Sequence, residues 1–563
     1  MKKIVFTFII FFTFLTNVSA QLVVNSLEQV GIGIANPKYK LHVVGDTYVT
    51  GNIYLGKTTN VLSITGNIFT LKVNDILAGY TGSSTNSNLS FGYGALHNQT
   101  AGSRNTAIGF QALYNANTDS ASYNVAIGSG ALYANTTGSY NTANGYHALY
   151  ANTTGSYNTA NGYAALNANM TGERNTVNGH AALYFNTTGS YNTANGYAAL
   201  YKNTTANYNT ATGYAALNAN MTGERNTANG YAALYFNTTG SCNTANGYAA
   251  LYFNTTGSYN TANGHAALYK NTTANYNTAT GYAALNANMT GERNTANGHA
   301  TLYYNTTGSY NTANGYATLY YNTTANYNTA TGYVALYSNT TGSNNTATGY
   351  HALYSNTEGS NNTAIGYYAD VSSKNLTNAT AIGNEAKATA SNQVRIGNSS
   401  VTSIGGYAAW TNFSDGRAKK NIRTNVPGLD FINRLQPVTY NLDLDMVDNL
   451  MGIVKTAGDE EDGVSQPLSK EMREAREAKQ EQVLTGFVAQ DVEKTAKSVG
   501  YNFDGVDVDE NGVYGLRYSE FVVPLVKAVQ ELSEQNNRLS EQNNQMKEMI
   551  DKLNARIEQL EKK

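Results

Sequence analysis

Gly247-Tyr-Ala-Ala-Leu-Tyr-Phe-Asn-Thr-Thr-Gly-Ser-Tyr-Asn-Thr-Ala-Asn263 is one unit of a repeat that fills the middle of this 563-residue chain. Such units start at a glycine every 17 residues from Gly92 to Gly383, with one interval of 19 around Asp119. Two glycines and several Asn and Thr residues per unit, without an apolar stripe of period 3.6, make a helix unfavourable. Short strands between Asn-Thr and Gly turns fit better. Because a fixed period indicates one structural unit per repeat, the sequence predicts a β-solenoid with one coil per unit.

The repeat also predicts how the coils pack. Neighbouring coils pair their backbones about 4.8 Å apart, so the eighteen repeat glycines give a rod of roughly 85 Å. Equivalent residues stack along such a rod, and stacked amides can hydrogen-bond along a column. Two asparagine ladders are therefore predicted, one through Asn152, Asn169 and Asn186 and one through Asn158, Asn175 and Asn192. The interior is expected to hold the Ala and Leu of each Ala-Leu-Tyr, with the Ala or Ile before each repeat glycine. This core is thin, and association of several chains would bury more of its surface.

The composition excludes several classes of function. Charged residues make up 13% of the chain and the net charge is −2, so no basic patch for nucleic acid is expected. Residues 91–366 carry only eleven charged residues, which leaves no carboxylate pair for glycoside hydrolysis. The histidines of the repeats, such as His180, stand at or next to tyrosine positions and are interpreted as surface residues, not metal ligands. Cys242 is the single cysteine, so no intrachain disulfide can form. It also stands at a tyrosine position of the repeat. No metal and no cofactor are predicted.

The tripeptide Ala-Ile-Gly occurs near both ends of the repeat region, at residues 107–109 and 381–383. On this motif and the strict period, residues 92–400 resemble the head repeats of YadA-like trimeric adhesins, which are trimeric β-rolls of slightly shorter period. The resemblance implies a homotrimer with an adhesive role. Rows of Tyr, Asn and Thr would suit a glycan or a host-surface protein through stacking and hydrogen bonds, and they would suit plain fibre building equally well.

The N-terminus has the features of a secretory signal peptide over residues 1–20. Lys2 and Lys3 give a positive start, an apolar run extends from Ile4 to Leu15, and Val18-Ser-Ala20 fits a cleavage site. The run is too short to cross a bilayer comfortably, and no later segment approaches 18 apolar residues. The mature chain is therefore expected to be secreted or displayed at the cell surface, without a transmembrane segment.

Residues 21–90 are predicted to form a β-rich fibre leader, because short β-like pieces alternate there with Gly and Asn turns. The pieces are Leu41–Val44, Thr47–Thr50, Asn52–Leu55, Val61–Ile64 and Ile68–Leu71. Gly31-Ile-Gly-Ile34 lacks the third glycine and the following helix of a nucleotide-binding loop.

The repeat region spans residues 91–406, and a region of different composition follows it. Residues 411–521 are rich in charge and predict a small α+β domain, with a helix and strand over Asp430–Leu442, a strand running into a helix at Gly486–Val492 and a strand at Tyr514–Tyr518. Residues 456–482 are expected to form a charged loop and helix.

The last segment, residues 522–563, has an uninterrupted heptad pattern and predicts a coiled coil. The a positions are Val522, Val529, Asn536, Asn543, Ile550 and Ile557, and the d positions are Leu525, Leu532, Leu539, Met546, Leu553 and Leu560. Branched residues at a with Leu at d favour two strands, whereas a YadA-like head needs three chains. We expect three.

The junction between these parts contains Ser414 and Lys419, five residues apart. A serine hydroxyl is a weak nucleophile until a base removes its proton, and a lysine can do this when its surroundings exclude water. This spacing is common by chance, and an ordinary surface turn with a basic tail is the alternative interpretation.

Wider motifs support the first interpretation. Ser414-Asp-Gly-Arg-Ala-Lys-Lys-Asn-Ile422, Leu435-Gln-Pro-Val-Thr-Tyr440, Gly486-Phe-Val-Ala-Gln490 and Tyr514-Gly-Leu-Arg-Tyr518, followed by heptads, resemble the C-terminal intramolecular chaperone domain of endosialidase-type phage tail spikes. In that family the domain trimerises, templates folding of the fibre before it and then cuts itself off as a serine peptidase.

Carried over to this chain, the resemblance implies a scissile bond between Phe413 and Ser414, with Ser414 as nucleophile and Lys419 as base. Lys420 is the nearest rival for the role of base. Asp491 stands where the family often has Glu, and no role is assigned to it.

The sequence thus predicts a mainly β protein: a repetitive trimeric β-solenoid or β-roll fibre, followed by an α+β chaperone domain and a helical coiled coil. The expected function is a secreted, homotrimeric, adhesin-like surface fibre that cuts itself once and has no multiple-turnover activity. The alternatives are a phage-type tail spike or tail fibre, a glycan hydrolase, and a purely structural or ice-binding solenoid. The signal peptide weakens the phage alternative, and the scarcity of carboxylates weakens the hydrolase.

Overall fold

The structure is a computed structural model that describes residues 22–24, 30–32, 41–43, 68–73, 76–81, 88–98, 102–116, 121–407, 410–451, 470–509 and 512–563. The chain divides into two units, residues 1–66 and residues 67–563. In the first unit, β1 (Leu22–Val24) pairs antiparallel with β2 (Val30–Ile32), and β2 pairs parallel with β3 (Leu41–Val43). The predicted signal peptide and the predicted strands at 47–50, 52–55 and 61–64 lie outside the described residues. Among the described helices, none is both long and apolar enough to span a membrane.

The second unit begins with an antiparallel hairpin that leads into the solenoid. The hairpin consists of β4 (Ile68–Val73) and β5 (Ile76–Thr81), and β5 also pairs antiparallel with β6 (Asn88–Phe91). From β6 onward each strand of the solenoid pairs parallel with its equivalent in the next coil, for example Thr244 with Thr261 and Ala245 with Ala262. The predicted mainly β solenoid is therefore confirmed.

The strands of the main ladder are three residues long because the turns of each coil take up the rest of the repeat. They are β7 (Thr106–Ile108), β8 (Val125–Ile127), β9 (Thr142–Asn144), β10 (Thr159–Asn161), β11 (Thr176–Asn178), β12 (Thr193–Asn195), β13 (Thr210–Thr212), β14 (Thr227–Asn229), β15 (Thr244–Asn246), β16 (Thr261–Asn263), β17 (Thr278–Thr280), β18 (Thr295–Asn297), β19 (Thr312–Asn314), β20 (Thr329–Thr331), β21 (Thr346–Thr348), β22 (Thr363–Ile365), β24 (Thr380–Ile382) and β26 (Val394–Ile396). A second short ladder pairs β23 (Asp370–Val371) with β25 (Lys387–Ala388).

The core of the solenoid follows from the alternation of side chains along each strand. The middle residue of a strand, such as Ala262, is fully buried, and so are the Ala and Leu of Ala-Leu-Tyr, such as Ala250 and Leu251. This part of the predicted interior is confirmed. The prediction was wrong for the isoleucines next to the repeat glycine: Ile127, Ile365 and Ile382 are exposed. They end their strands, and neighbours of an inward-facing residue point outward.

Each coil closes through residues with left-handed backbone conformation. Between Tyr259 and Leu268, for example, Tyr259, Ala266 and Leu268 have φ of 60°, 52° and 51°. Such a conformation costs a non-glycine residue roughly 1–2 kcal/mol. The amides of these residues bond to both neighbouring coils, since Ala266 N–H donates to Tyr248 O at 2.9 Å and Leu268 N–H donates to Ala284 O at 2.9 Å. Stacking on both sides therefore offsets the local strain.

Both predicted asparagine ladders are present, and their side chains are fully buried. In the first ladder, Asn254 Nδ2 donates to Asn237 Oδ1 at 2.7 Å and to Gly257 O at 2.9 Å, while Asn271 Nδ2 donates to Asn254 Oδ1 at 2.8 Å. In the second ladder, the backbone N–H of Asn260 donates to Asn243 Oδ1 at 3.0 Å. These polar side chains can lie in the core because each amide is bonded to a neighbouring coil.

We expect Asn254→Ala to loosen the solenoid locally by about 3 kcal/mol, because the buried amides of Asn237 and Asn271 each lose the hydrogen bond that they make to Asn254. The effect should be seen as faster amide hydrogen exchange in the coils on either side. Asn263→Thr is the matched control. Asn263 belongs to an outer row, in which Asn246 Nδ2 donates to it at 2.8 Å, and threonine already stands in that row at Thr280. Equal exchange in both variants would contradict the prediction.

The C-terminal domain forms around two short antiparallel pairs, β27 (Val438–Tyr440) with β28 (Leu484–Gly486) and β29 (Val506–Val508) with β30 (Tyr514–Leu516). Its helices are α1 (Leu429–Ile432), α2 (Leu444–Leu450), α3 (Lys470–Glu481) and α4 (Ala489–Ser498), and one-turn 3₁₀ helices span Gly416–Ala418 and Tyr518–Phe521. The small core contains Phe431, Val492, Ala496, Phe503 and Phe521.

The helix and strand predicted over 430–442 are present, and so is the strand predicted at Tyr514. The strand predicted from Gly486 instead ends at Gly486, and its helix begins at Ala489. The helix predicted within the charged segment is α3; residues 456–469 lie outside the described residues.

The chain ends in α5 (Val522–Glu561), a single helix of 40 residues. Its heptad residues, including Leu532, Leu539 and Leu553, form an exposed apolar seam in the single chain. The helix is as predicted, and its association into a coiled coil stays a prediction.

The Ser414–Lys419 pair as a candidate active site

A one-turn helix connects the two predicted catalytic residues. Asp415 lies just before the 3₁₀ helix Gly416–Ala418 and caps it, because its carboxylate accepts a hydrogen bond from Arg417 N at 2.9 Å. The Arg417 guanidinium also pairs with this carboxylate, with Nη2 2.6 Å from Oδ2. The cap and the ion pair together hold a tight turn between Ser414 and Lys419.

This turn brings the predicted nucleophile and base together. Lys419 Nζ donates a hydrogen bond to Ser414 Oγ at 2.8 Å. The sequence left Lys419 and Lys420 as alternatives, and Lys419 is the one whose Nζ reaches the serine in this geometry. The distance is that of a nucleophile and its general base in a hydrolase site. The assignment of catalytic roles to Ser414 and Lys419 remains a prediction.

The pair is open to water in the single chain. Ser414 and Lys419 are both exposed, and Phe413, on the other side of the predicted scissile bond, has 83% of its surface exposed. A lysine accepts a proton from serine only when desolvation favours its neutral form. The residues are thus in contact, and burial by neighbouring chains would supply the condition that the chemistry requires.

Asp415 is the residue that sequence reasoning missed, although Asp-Gly before a short helix is a typical capping signal. The hydrogen bonds from Arg417 hold the pKa of Asp415 below its ordinary value of 3.8. A carboxylate with a lowered pKa contributes its cap at every pH above its ordinary pKa and loses the cap only as the pH falls through the lowered pKa. The carboxylate is therefore ionised at neutral pH, in the form that accepts the capping hydrogen bond from Arg417 N.

We expect Asp415→Ala to slow any cleavage at Ser414 by about tenfold, because the turn would no longer hold Lys419 against the serine. Asp415→Asn keeps a capping oxygen and should have a smaller effect. Asp430→Ala is the control, since Asp430 is an exposed acid of α1 that pairs with Arg434, two residues beyond the end of that helix. The rate of fragment formation on a denaturing gel measures all three. Equal rates for Asp415→Ala and Asp430→Ala would contradict a positioning role.

Asp491, to which no role was assigned, lines a separate cleft of about 340 Å³ in the chaperone domain. Arg434 and Lys494 line the same cleft. Ser414 and Lys419 do not line this cleft, so its geometry assigns Asp491 no role beside the Ser414–Lys419 pair.

Comparison with known proteins agrees with this division of the chain. Residues 414–501 match the model of a peptidase family described as chaperone of endosialidase. The match begins at Ser414, the first residue after the predicted scissile bond. Membership of this domain in that family implies that the domain self-associates as a trimer. No curated protein matches the chain. The chain thus carries, behind its β-solenoid fibre, a C-terminal chaperone domain of the endosialidase type.

Proposed function

We propose that this protein is a homotrimeric fibre whose C-terminal domain assembles three chains, guides folding of the solenoid and then cuts the chain between Phe413 and Ser414. The observation that carries the proposal is the 2.8 Å hydrogen bond between Lys419 Nζ and Ser414 Oγ at the first residue of the family match. The proposal unites a fibre that gains stability only through stacking with a domain that brings chains together.

The proposed reaction uses one water molecule and no cofactor. Neutral Lys419 takes the proton of Ser414 Oγ, which attacks the carbonyl carbon of Phe413. The carbon–nitrogen bond breaks as the lysine returns the proton to the Ser414 nitrogen, and the Phe413 acyl group is left on Oγ as an ester. Water then hydrolyses this ester to a carboxylate on Phe413 and restores the serine hydroxyl. The chain is cut once, so each molecule performs a single turnover.

Assembly before cleavage has a physical reason. Three solenoid chains must be aligned before their coils can associate, and a coiled coil raises the local concentration of the other two chains. Once the domain is removed, the fibre can no longer unfold by reversing the assembly pathway that the domain provided. The fibre is then kinetically stable. Burial of the junction in the assembled trimer would at the same time desolvate Lys419, so that cleavage follows assembly.

We therefore expect Leu532→Asp combined with Leu539→Asp to prevent both association and cleavage, because two charges enter the apolar seam of α5. Cleavage should fall at least about tenfold, following the loss of trimer seen by light scattering. Asn537→Asp combined with Asn544→Asp adds the same charge at two b positions, outside the seam, and should leave both properties unchanged. Full cleavage by a monomeric double-leucine variant would contradict the proposed order of events.

The mass of the purified protein tests the proposal directly. A C-terminal fragment whose first residue is Ser414 is expected, together with a fibre fragment that ends at Phe413. A single intact chain, or a cut at another bond, would overturn the assignment.

An adhesive role is supported by regular aromatic rows on the solenoid, though not by the contact first expected. Tyr214, Tyr231 and Tyr248 stack with centroids 5.1 Å apart and planes within 6° of parallel, and each is about half exposed. Their faces are covered by one another, so a sugar cannot stack on them, and a glycan or surface protein would meet a line of hydroxyl edges. Export to the cell surface is proposed from the predicted signal peptide. A purely structural fibre, or a tail fibre, is the second candidate, because the same rows also brace the coils.

A further inference from the structure

A buried polar cluster joins the end of the fibre to the chaperone domain. Ser399 lies just after the last solenoid strand, whereas Asp445 and Asp448 belong to α2, and Arg476 and Lys479 belong to α3. We call these five residues the junction clamp. Ser399 precedes the predicted scissile bond and the other four follow it, so the clamp crosses the site of the proposed cut.

The centre of the clamp is an ion pair enclosed by protein. Arg476 Nη2 lies 2.6 Å from Asp448 Oδ2 and 2.9 Å from Asp445 Oδ1, and the side chains of Arg476 and Asp448 are only 10% and 7% exposed. The hydroxyl of Ser399 fits between the two charges. It donates to Asp448 Oδ1 at 2.7 Å and accepts from Arg476 Nη1 at 3.1 Å. Ser399 thus completes a site that the domain itself has already built.

Lys479 adds a second point of attachment. Its Nζ donates to the backbone carbonyls of Ser399 and Val401, both at 2.6 Å. The segment that it holds is a turn, in which Val401 N–H donates to Asn398 O at 3.2 Å. Charged donors make stronger hydrogen bonds than neutral ones. Four hydrogen bonds therefore connect the domain to Ser399 and Val401.

The segment between the clamp and the scissile bond contributes little to this attachment. The described residues between Val401 and Ser414 are exposed, and a side chain added at Gly405 would meet no atom within 4 Å. A cut at Phe413–Ser414 breaks the covalent connection and leaves all four hydrogen bonds in place.

We propose that the junction clamp keeps the end of the fibre bound to the chaperone domain after the chain is cut, so that cutting and release are separate steps. The inference rests on the proposed cleavage for its place in assembly, but the clamp can be tested without it. Leaving the clamp would expose a buried ion pair that has lost its serine partner. In a trimer three clamps act together, so one released clamp can rebind before the others open.

The test uses the full chain with Ser414→Ala, which removes the proposed nucleophile, and a recognition sequence for a site-specific endoprotease inserted after Gly405. After the protease has cut, the two parts are separated by size-exclusion chromatography at about 0.15 M salt, where exposed charges are screened and buried pairs much less so. We expect the parts to elute together. Immediate separation of the cut parts would overturn the proposal.

Substitutions in the same background test the named contacts. Ser399→Ala and Lys479→Gln are each expected to speed release at least about tenfold, because rates of dissociation respond to lost contacts. Ser399 lies on the fibre side, so its substitution leaves α2 and α3 intact. Lys470→Gln is the control, since Lys470 is an exposed lysine of α3 that pairs only weakly with Glu474 at 3.7 Å. Release no faster from the clamp variants than from the control would overturn the proposal.

The unmodified chain separates the two hypotheses. A natural cut with the parts still bound supports both cleavage and clamp. A natural cut with free parts overturns the clamp alone. An intact natural chain, whose endoprotease-cut counterpart stays together, overturns the proposed cleavage and leaves the clamp standing.

Discussion

Ser414→Ala is expected to yield one full-length chain, whereas the unchanged protein yields a fragment that ends at Phe413 and a fragment that begins at Ser414. The substitution removes the oxygen that would attack the Phe413 carbonyl and leaves the rest of the turn in place. A serine nucleophile that acts together with its base typically accounts for about 10³-fold or more of the rate, so fragments should be undetectable over the time that the unchanged chain needs for complete cleavage.

Lys419→Met should have nearly the same effect, because nucleophile and base act as one unit. Methionine keeps most of the length of the side chain and removes the proton acceptor. Lys420→Met is the matched control, since it removes the adjacent positive charge without removing the group that bonds to Ser414 Oγ. Association of α5 should be unchanged in all three variants. Fragments of the usual size from Ser414→Ala, or a larger loss of cleavage in Lys420→Met than in Lys419→Met, would refute the assignment.

The second large effect is expected in the fibre, where Gly230→Ala should disrupt the solenoid locally at a cost on the order of 3 kcal/mol. Gly230 has φ +139°, a region that side chains rarely allow, and an added Cβ would lie 2.4 Å from the carbonyl oxygen of Gly247 in the next coil. Because the added Cβ would meet a backbone oxygen, no flexible side chain could move aside to relieve the clash. Rapid amide exchange around this coil and a lower yield of soluble fibre would measure the effect.

Gly240→Ala provides the matched control in the other glycine column of the same repeat. An added Cβ at Gly240 would also approach a backbone oxygen, that of Gly257 at 2.3 Å, but Gly240 has no left-handed backbone. Alanine already occupies this column at Ala206, Ala274 and Ala325. The coils adapt to this alanine with small shifts: Asn203 Nδ2 is 3.1 Å from Ala206 O, compared with 2.9 Å between Asn152 Nδ2 and Gly155 O. A cost below about 1 kcal/mol is expected. Similar losses in both variants would show that the two columns are equivalent, contrary to the structure.

Much of the fibre could be predicted because its contacts are nearly local in sequence. A strand residue such as Thr244 pairs with the equivalent residue 17 positions later, so the period alone sets the register of the whole ladder. The asparagine columns follow from the same period. The family resemblance likewise placed the chaperone domain from residue 411 and the scissile bond before Ser414, and the family match begins at Ser414.

The direction of side chains within a coil could not be predicted in this way. Asparagine is typical of turns and surfaces and isoleucine is typical of cores. In this fold, however, Asn254 and Asn260 are fully buried, whereas Ile365 is exposed. Burial of an amide is acceptable only when neighbouring coils supply its hydrogen bonds, and that supply exists only after stacking. The left-handed conformation of Leu268 has the same origin, since both neighbouring coils hold it in place.

The period, the register and the order of fibre, chaperone domain and terminal helix therefore follow from the sequence. Which of the two adjacent lysines contacts Ser414 depends on the folded chain, because the capped turn at Asp415 directs Lys419 back to the serine. The junction clamp also depends on the folded chain, since its members Ser399 and Arg476 are 77 residues apart in sequence. A repeating pattern records contacts between neighbours in sequence, whereas contacts across such a distance depend on how complete elements pack, and no period reveals them.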